Sequence, residues 1–115
     1  MNWVRIGGFF ALVGVALGAF GAHGLKNVLV AHDSLEIWKT ASFYHLVHAV
    51  AMVVPGMGRG KCSPALCFAA GIFIFSGSLY LLAVTGMTWL GMITPIGGVA
   101  FLLGWLLLAL RGQQD

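Results

Sequence analysis

An all-α fold, a bundle of four transmembrane helices, is what this sequence predicts, and three observations carry the prediction. Of the 115 residues, 60% are hydrophobic and 8% are charged, against roughly 25% charged residues in soluble domains. The apolar residues collect into four long stretches rather than thin amphipathic stripes. None of the stretches alternates with period two, so a membrane β-barrel is excluded and the α-helix is the remaining spanning element. Six Lys or Arg and three Asp or Glu cannot provide the polar surface of a soluble domain. The same composition excludes a disordered chain and a disulfide scaffold.

The chain is read as one integral membrane domain, residues 1–115, with spans at 6–22, 35–56, 64–85 and 95–110. A helix needs about 20 residues to cross a hydrocarbon core of about 30 Å. The second and third spans have that length; the first and fourth are near the lower limit and are extended by Trp3 and by Met92-Ile93. Boundary residues support this division. Ser63-Pro64 and Thr94-Pro95 each pair an N-cap residue with a proline at the first helical position. Asp33 followed by Glu36 reads as a capping box opening the second span, which enters its apolar zone near Ala41. Gly86 fits a left-handed glycine ending the third. The glycine-rich segment 56–61, with Arg59 and Lys61, is a turn. Between the first two spans, Leu25, Val28 and Leu29 oppose Lys26 and Asn27, which predicts a short interfacial helix within 25–34.

Charge then sets topology. With four spans, Arg5, Arg59, Lys61 and Arg111 share one side, and Lys26 and Lys39 lie on the other beside Asp33 and Glu36. The excess of basic residues places both termini in the cytoplasm, an N-in/C-in arrangement in the inner membrane. The same residues are too scattered for a nucleic-acid surface. Trp3, Trp38 and Trp89 fall near span ends, where interface anchors belong, and Trp105 lies farther inside the last span. Arg5 and the small residues around Ala19-Phe20-Gly21 give the N-terminus a likeness to a secretory signal. It is expected to be retained, because its glycine-patterned helix completes the bundle.

Small residues mark close helix contacts in lipid. The first span carries Gly7, Ala11, Gly14, Gly18 and Ala22, with Gly14-x-x-x-Gly18-x-x-x-Ala22 as a small-residue ridge. The third contributes Gly71 and Gly77, and the fourth Gly97, Ala100 and Gly104. These faces suit packing within the bundle; the alternative is a homo-oligomer or a membrane-protein partner.

Several segments resemble a known family. They are Gly18-Ala-Phe-Gly-Ala-His-Gly-Leu25, Trp38-x-Thr-Ala with Tyr44-His-x-x-His48, Phe75-Ser-Gly-Ser-Leu-Tyr80, Thr94-Pro-Ile-Gly-Gly98 and Phe101-Leu-x-Gly-Trp105. In this order they are similar to the small bacterial YgdD-like (YwdK-like) inner-membrane proteins, classed as a domain of unknown function. The resemblance covers nearly the whole chain. It implies a four-helix multi-pass membrane protein and no particular reaction.

The remaining chemistry lies in the histidines. His45 and His48 share one helix face with Trp38, Ala41 and Met52. Counted from Trp38 at 1.5 Å per residue, they sit about 10 Å and about 15 Å deep, where an ionisable group should face the bundle interior. His23 ends the first span and His32 lies in the following loop. Ser76, Ser78 and Tyr80 fall in the third span, and a neutral His48 bonded to Ser76 is expected. The polar cluster is therefore His23, Tyr44, His45, His48, Ser76, Ser78 and Tyr80. Three uses compete for it: hydrogen-bonding glue between helices, a proton relay in a small transporter or proton-linked carrier, and a haem or metal site at His23, His45 and His48. No cofactor is expected on balance, because the span interiors offer no carboxylate and no evident second partner for each imidazole.

Other motifs are silent. Cys62 and Cys67, five residues apart, point to different faces and read as small packing residues. The glycines lack the Lys and Ser/Thr of a phosphate loop, and no Ser stands in a hydrolase context. Asp33, Glu36 and Asp115 lie outside the membrane, and the first two read as caps rather than catalysts. The function expected is that of a structural or accessory membrane protein.

Overall fold

The computed structural model describes residues 2–60 and 63–111. Among them, every regular element is helical and no strand occurs. Helix α1 is Trp3–Ala22, α2 is Lys26–Ala31 and α3 is Leu35–Met52. Helix α4, Pro64–Gly71, runs through a π turn at Ile72–Ser76 into α5, Gly77–Thr85. A 3₁₀ turn at Thr88–Met92 leads into α6, Thr94–Arg111.

Three helical bodies are long and apolar enough to cross a membrane: Trp3–Ala22, Pro64–Thr85 and Thr88–Arg111. Helix α3 stops at Met52, short of the expected 56, and is not among them. Its sequence includes Glu36, Lys39, His45 and His48. It is nonetheless the most enclosed element. It buries eight residues, from Trp38 to Met52, whereas α1 buries only Gly7, Gly14 and Gly21. Helix α1 packs along one side of α3, the α4–α5 rod along another, and α6 leans on that rod. Large apolar side chains such as Phe9, Leu12, Phe73 and Leu102 point outward, as they do where the solvent is hydrocarbon.

The ends show which boundary signals carry through. Asn2 caps α1 by accepting from the Arg5 N–H at 3.2 Å. Ser63 caps α4 by accepting from the Leu66 N–H at 3.1 Å, with Pro64 at the first position. Gly86 adopts φ 72° and ends α5. The capping box does not form: Asp33 itself takes φ 52°, and Ser34 becomes the N-cap without a side-chain cap bond. Ser34 is instead buried, and its hydroxyl donates to Ala83 O at 2.6 Å, tying the α2–α3 corner to α5. Glu36 faces outward and pairs with Lys39 at 3.5 Å. Thr94 is already inside α6, its hydroxyl turned back to Leu90 O at 3.3 Å. The turn after α3 uses Gly56 at φ 92° and Gly60 at φ 82°; its Lys61, together with Cys62 and Asp115, lies outside the described residues. The short helix expected within 25–34 is present as α2, with Leu29 fully buried and Lys26 and Asn27 exposed.

The α1–α3 contact corrects the expected ridge. Gly7, Gly14 and Gly21 face Met52, His45 and Trp38 respectively. Both sets step by seven residues, in opposite directions, as two antiparallel helices in heptad register do. A carbon added at Gly18 would lie 3.9 Å from Ser42, ordinary van der Waals contact, and Ala22 is exposed, so the tight contacts fall at Gly7, Gly14 and Gly21 instead. A three- and four-residue ridge drifts off the contact, while a seven-residue repeat follows it when the helices wind gently around each other. A side chain on Gly14 would come within 2.8 Å of Leu46 Cδ2, and one on Gly21 would overlap the Trp38 indole. Across the molecule, Gly97 lies against the Phe75 backbone, Gly104 against Phe68, and Gly71 against Phe101.

Gly21→Ala should therefore lower stability by about 1–3 kcal/mol, the usual cost of overpacking. Gly8→Ala, where an added carbon meets nothing within 4 Å, should leave it unchanged. Thermal unfolding in detergent distinguishes the two; equal melting temperatures for both variants contradict the seam.

Candidate functional site

The buried polar groups gather where α3 faces its neighbours, and each can be assigned from its partner. His45 Nε2 lies 2.7 Å from Phe10 O. A carbonyl only accepts, so in the neutral ring the proton sits on Nε2. The other nitrogen, Nδ1, is 3.0 Å from the Tyr80 hydroxyl, which donates to it. That hydroxyl is also 3.4 Å from Ser42 Oγ. His48 has the opposite tautomer. Its Nδ1 donates to Tyr44 O at 2.7 Å, and its Nε2 accepts from Trp105 Nε1 at 3.0 Å. Its ring stacks on Phe101 with centroids 3.7 Å apart and planes 13° from parallel.

Trp38 is no interface anchor: it is 4% exposed and donates to Leu17 O at 2.9 Å. The carbonyls used by Trp38 and His45, at Leu17 and Phe10, each lie four residues before a seam glycine, Gly21 and Gly14. In an α-helix, O(i) lies beside N(i+4). A missing side chain at i+4 therefore opens the outer lone pair of that carbonyl to a donor from the next helix. The glycine seam and the polar contacts are one device.

The expected His48–Ser76 pair does not form. Ser76, at the end of the π turn, donates to Ala41 O at 2.8 Å, two turns from His48, while His48 turns toward α6. Ser78 points the other way and shares a 2.6 Å hydrogen bond with Thr94. Tyr44 packs its ring on Phe75, centroids 4.9 Å apart, and is 39% exposed. His23 is exposed at the end of α1, and His32 donates to Val28 O in its own helix. Among the described residues, no three His, Cys, Asp or Glu side chains converge as a metal site would require, so His23, His45 and His48 are not brought together. Cys67 adjoins the Gly104 contact between α4 and α6.

Every buried side-chain nitrogen or oxygen among the described residues has a partner. Two apolar clefts flank the cluster. One, of about 440 Å³, opens between α1 and the π-turn rod, with His45 and Tyr80 on its wall. The other, of about 380 Å³, lies between α3 and α6 beside Tyr44, His48 and Trp105. Sequence reasoning did not find Ser42, Trp105 or the carbonyls of Phe10 and Leu17 as partners. The signal available was the matched seven-residue spacing of Gly7, Gly14 and Gly21 with Trp38, His45 and Met52.

A double-mutant cycle with His48→Leu and Trp105→Phe should return a coupling of about 0.6 kcal/mol and no more than about 1.7, the range for interhelical hydrogen bonds in membranes. Unfolding in mixed micelles measures it, and zero coupling removes this contact.

Comparison with known proteins agrees on identity. A family model described as protein of unknown function (DUF423) matches residues 17–98. The chain is 41% identical to the UPF0382 membrane protein YwdK of Bacillus subtilis (strain 168), over 97% of this chain and 96% of that protein. It is 41% identical to the UPF0382 membrane protein SAB0533 of Staphylococcus aureus (strain bovine RF122 / ET3-1), over 92% and 90%. A UPF0382 membrane protein of Staphylococcus epidermidis (strain ATCC 12228) is 42% identical over 94% and 92%. No solved structure matches. With a family match from Leu17 to Gly98 and full-length relatives above 40% identity, the chain belongs to the DUF423 (UPF0382) family of membrane proteins.

Proposed function

We propose that this protein is a single-domain, four-span protein of the bacterial inner membrane, with both termini cytoplasmic, and that it acts as a structural or accessory component through its helix faces. The carrying observation is the bonding of His48. Its Nε2 faces an indole N–H, which can only donate. A proton added there would meet that N–H head on, so His48 serves as a fixed, neutral joint between α3 and α6. Metal ligation at that nitrogen is blocked by the same contact.

Helix α3 supplies the fourth crossing. Its 18 residues reach about 27 Å at 1.5 Å per residue. Glu36 and Lys39 lie in its first turns, and its two histidines are turned inward to partners on α1, α5 and α6. A helix so shielded does not need a wholly apolar sequence. The cytoplasmic reading is supported by Arg111, which donates to Arg59 O at 3.3 Å, so that two basic residues lie at one end. The occupants of the open faces would be lipid, a second copy or another membrane protein.

One observation favours proton-linked carriage as a second reading. The His45–Tyr80–Ser42 chain can run in either direction. Tyr80 donates to neutral His45, or a protonated His45 donates to Tyr80 while Tyr80 donates to Ser42. The bond from Nε2 to Phe10 O persists in both.

Reconstitution into proteoliposomes separates the two readings. His48→Leu should lower the melting temperature and leave pH-driven proton flux at the protein-free background, as in the unaltered protein. Flux above background that is lost in His45→Asn establishes the carrier and overturns the structural reading. For topology, single cysteines at Gly60 and Gly86 should react with an impermeant maleimide from opposite sides of the membrane; reaction from the same side removes the four-span arrangement.

A further inference from the structure

We propose that His45 exchanges its proton with one face of the membrane only, the face bearing α2, through Tyr80 and Ser42, so that it follows the pH of that face without moving protons across. The path deepens the reversible chain of the second reading and rests on α3 crossing the membrane. Its entrance is a cleft of about 330 Å³ between α1 and α3. The lining starts at Ala22, the last residue of α1, and Leu35, the first of α3, so the cleft opens at the helix ends beside α2, where the polar headgroup zone lies. Ser42 lies farther in, its Cα about 10 Å along the axis from Leu35. Lys39, one turn nearer the opening, is paired with Glu36 at 3.5 Å, so this wall is polar without net charge. Gly18 stands opposite. A carbon added there would meet Ser42 alone, at 3.9 Å, whereas one on Gly14 or Gly21 would collide with α3. The side chain missing at Gly18 thus leaves the hydroxyl uncovered. At roughly 30 Å³ per water, the cleft has room for several, with Lys39 and Ser42 as polar partners.

The transfer balances at every atom. A hydronium ion in the cleft gives a proton to Ser42 Oγ and leaves as water. Ser42 passes its own proton to the Tyr80 oxygen, 3.4 Å away, and Tyr80 passes its own to His45 Nδ1, 3.0 Å away. Each hydroxyl keeps one proton, and the imidazolium donates from Nδ1 to Tyr80 and from Nε2 to Phe10 O. There the path ends, because a carbonyl accepts and has no proton to pass on. The larger cleft on the other side of His45 runs along α1 from Leu17 to Ile6, but its only polar side chains are His45 and Tyr80, so nothing in it relays a proton or holds water. The groups that could bear on the charge are few. Helix α1 has no titratable side chain between Arg5 and His23, the π turn has none, and α5 offers Tyr80 alone. On α3, Lys39 is offset by Glu36, and His48 is held by Tyr44 O and Trp105. The ring of Trp38 lies 4.6 Å from that of Tyr80 and keeps the phenol in place between the two hydrogen bonds.

The test uses the full chain in proteoliposomes of known orientation and follows the imidazolium by isotope-edited infrared difference spectra, the His45 signal being the one lost in His45→Asn. One face is stepped from about pH 8 to about pH 5, the interval over which histidine ordinarily titrates, while the other is held alkaline by buffer. Acid on the α2 face should convert His45 to imidazolium, and acid on the opposite face should not. Ser42→Ala and Gly18→Leu should slow the conversion on the order of a hundredfold, the low end of what a positioned proton-transfer group contributes. Ser42→Thr, which keeps the hydroxyl, should restore it, and melting temperatures show that the variants fold. Conversion from the opposite face overturns the proposal. So does an unchanged rate in both Ser42→Ala and Gly18→Leu, or the absence of imidazolium with either face acidified. Proton flux, measured on the same vesicles, separates the failures: flux above background removes the dead end and the structural reading together, whereas background flux without any His45 conversion removes this proposal and leaves the structural reading standing.

Discussion

In hydrocarbon a polar side chain has no solvent to fall back on, so its partner must be another part of the protein. In the α1–α3 seam the partner is main chain. Trp38 and His45 donate to the carbonyls of Leu17 and Phe10. Both carbonyls already accept within their own helix, and their second lone pairs are reachable because Gly21 and Gly14 have no side chains to cover them. Remove either glycine and the donor loses its acceptor along with its space. The contact thus couples close packing to polar satisfaction, and the third layer, where Met52 meets Gly7, has the packing without the bond. Helix α3 is thereby fixed against α1 in depth and in rotation, and its remaining polar groups are delivered to fixed positions on α5 and α6.

From that placement the two histidines acquire different characters, although they are three residues apart on one helix. His48 lies between a pure acceptor and a pure donor, a carbonyl and an indole N–H. Its tautomer is dictated from both sides. His45 has a pure acceptor on one side and a hydroxyl on the other, and a hydroxyl can reverse. The distinction comes from partner chemistry rather than from depth or burial, since both residues are 3% exposed. It also says which histidine any proton-handling role would use.

Much of the fold was legible because hydrocarbon imposes simple rules. Three long apolar helices, the Ser63 cap, the Gly86 terminator and the short helix around Leu29 follow from apolar run length and from local backbone chemistry, and they recur in the structure. The misreadings have a common cause: they concern residues whose local role and tertiary role compete. Asp33 and Glu36 have the spacing of a cap, but Ser34 is drawn into a buried bond with Ala83 and takes the cap position with it. Trp38 lies near a helix end, where an anchor belongs, yet Gly21 makes a berth for it inside. Gly14, Gly18 and Ala22 satisfy the small-residue pattern of one helix taken alone; only the register of α3 selects Gly7, Gly14 and Gly21. His23, exposed at the end of α1, stands apart from the other histidines, and the pairing of His48 with Ser76 spans a reasonable distance along the axes but has the wrong rotation about them.

That rotation is where the π turn enters. A π turn widens one helical turn and shifts the side chains after it relative to those before. Here it occupies Ile72–Ser76, and Gly97 of α6 lies directly against the backbone of Phe75. A widened turn needs room on one side, and a glycine opposite provides it. The displaced register leaves Ser76 aimed at Ala41 of α3 and Ser78 aimed at Thr94 of α6. Two serines two residues apart thus bind two different helices, which is the geometry of opposite helix faces. With Ser76 committed to Ala41, His48 is left to Trp105 and α6. The pairing that residue spacing alone could not decide coincides with a local departure from the α-helix at Ile72–Ser76, packed against Gly97 of α6.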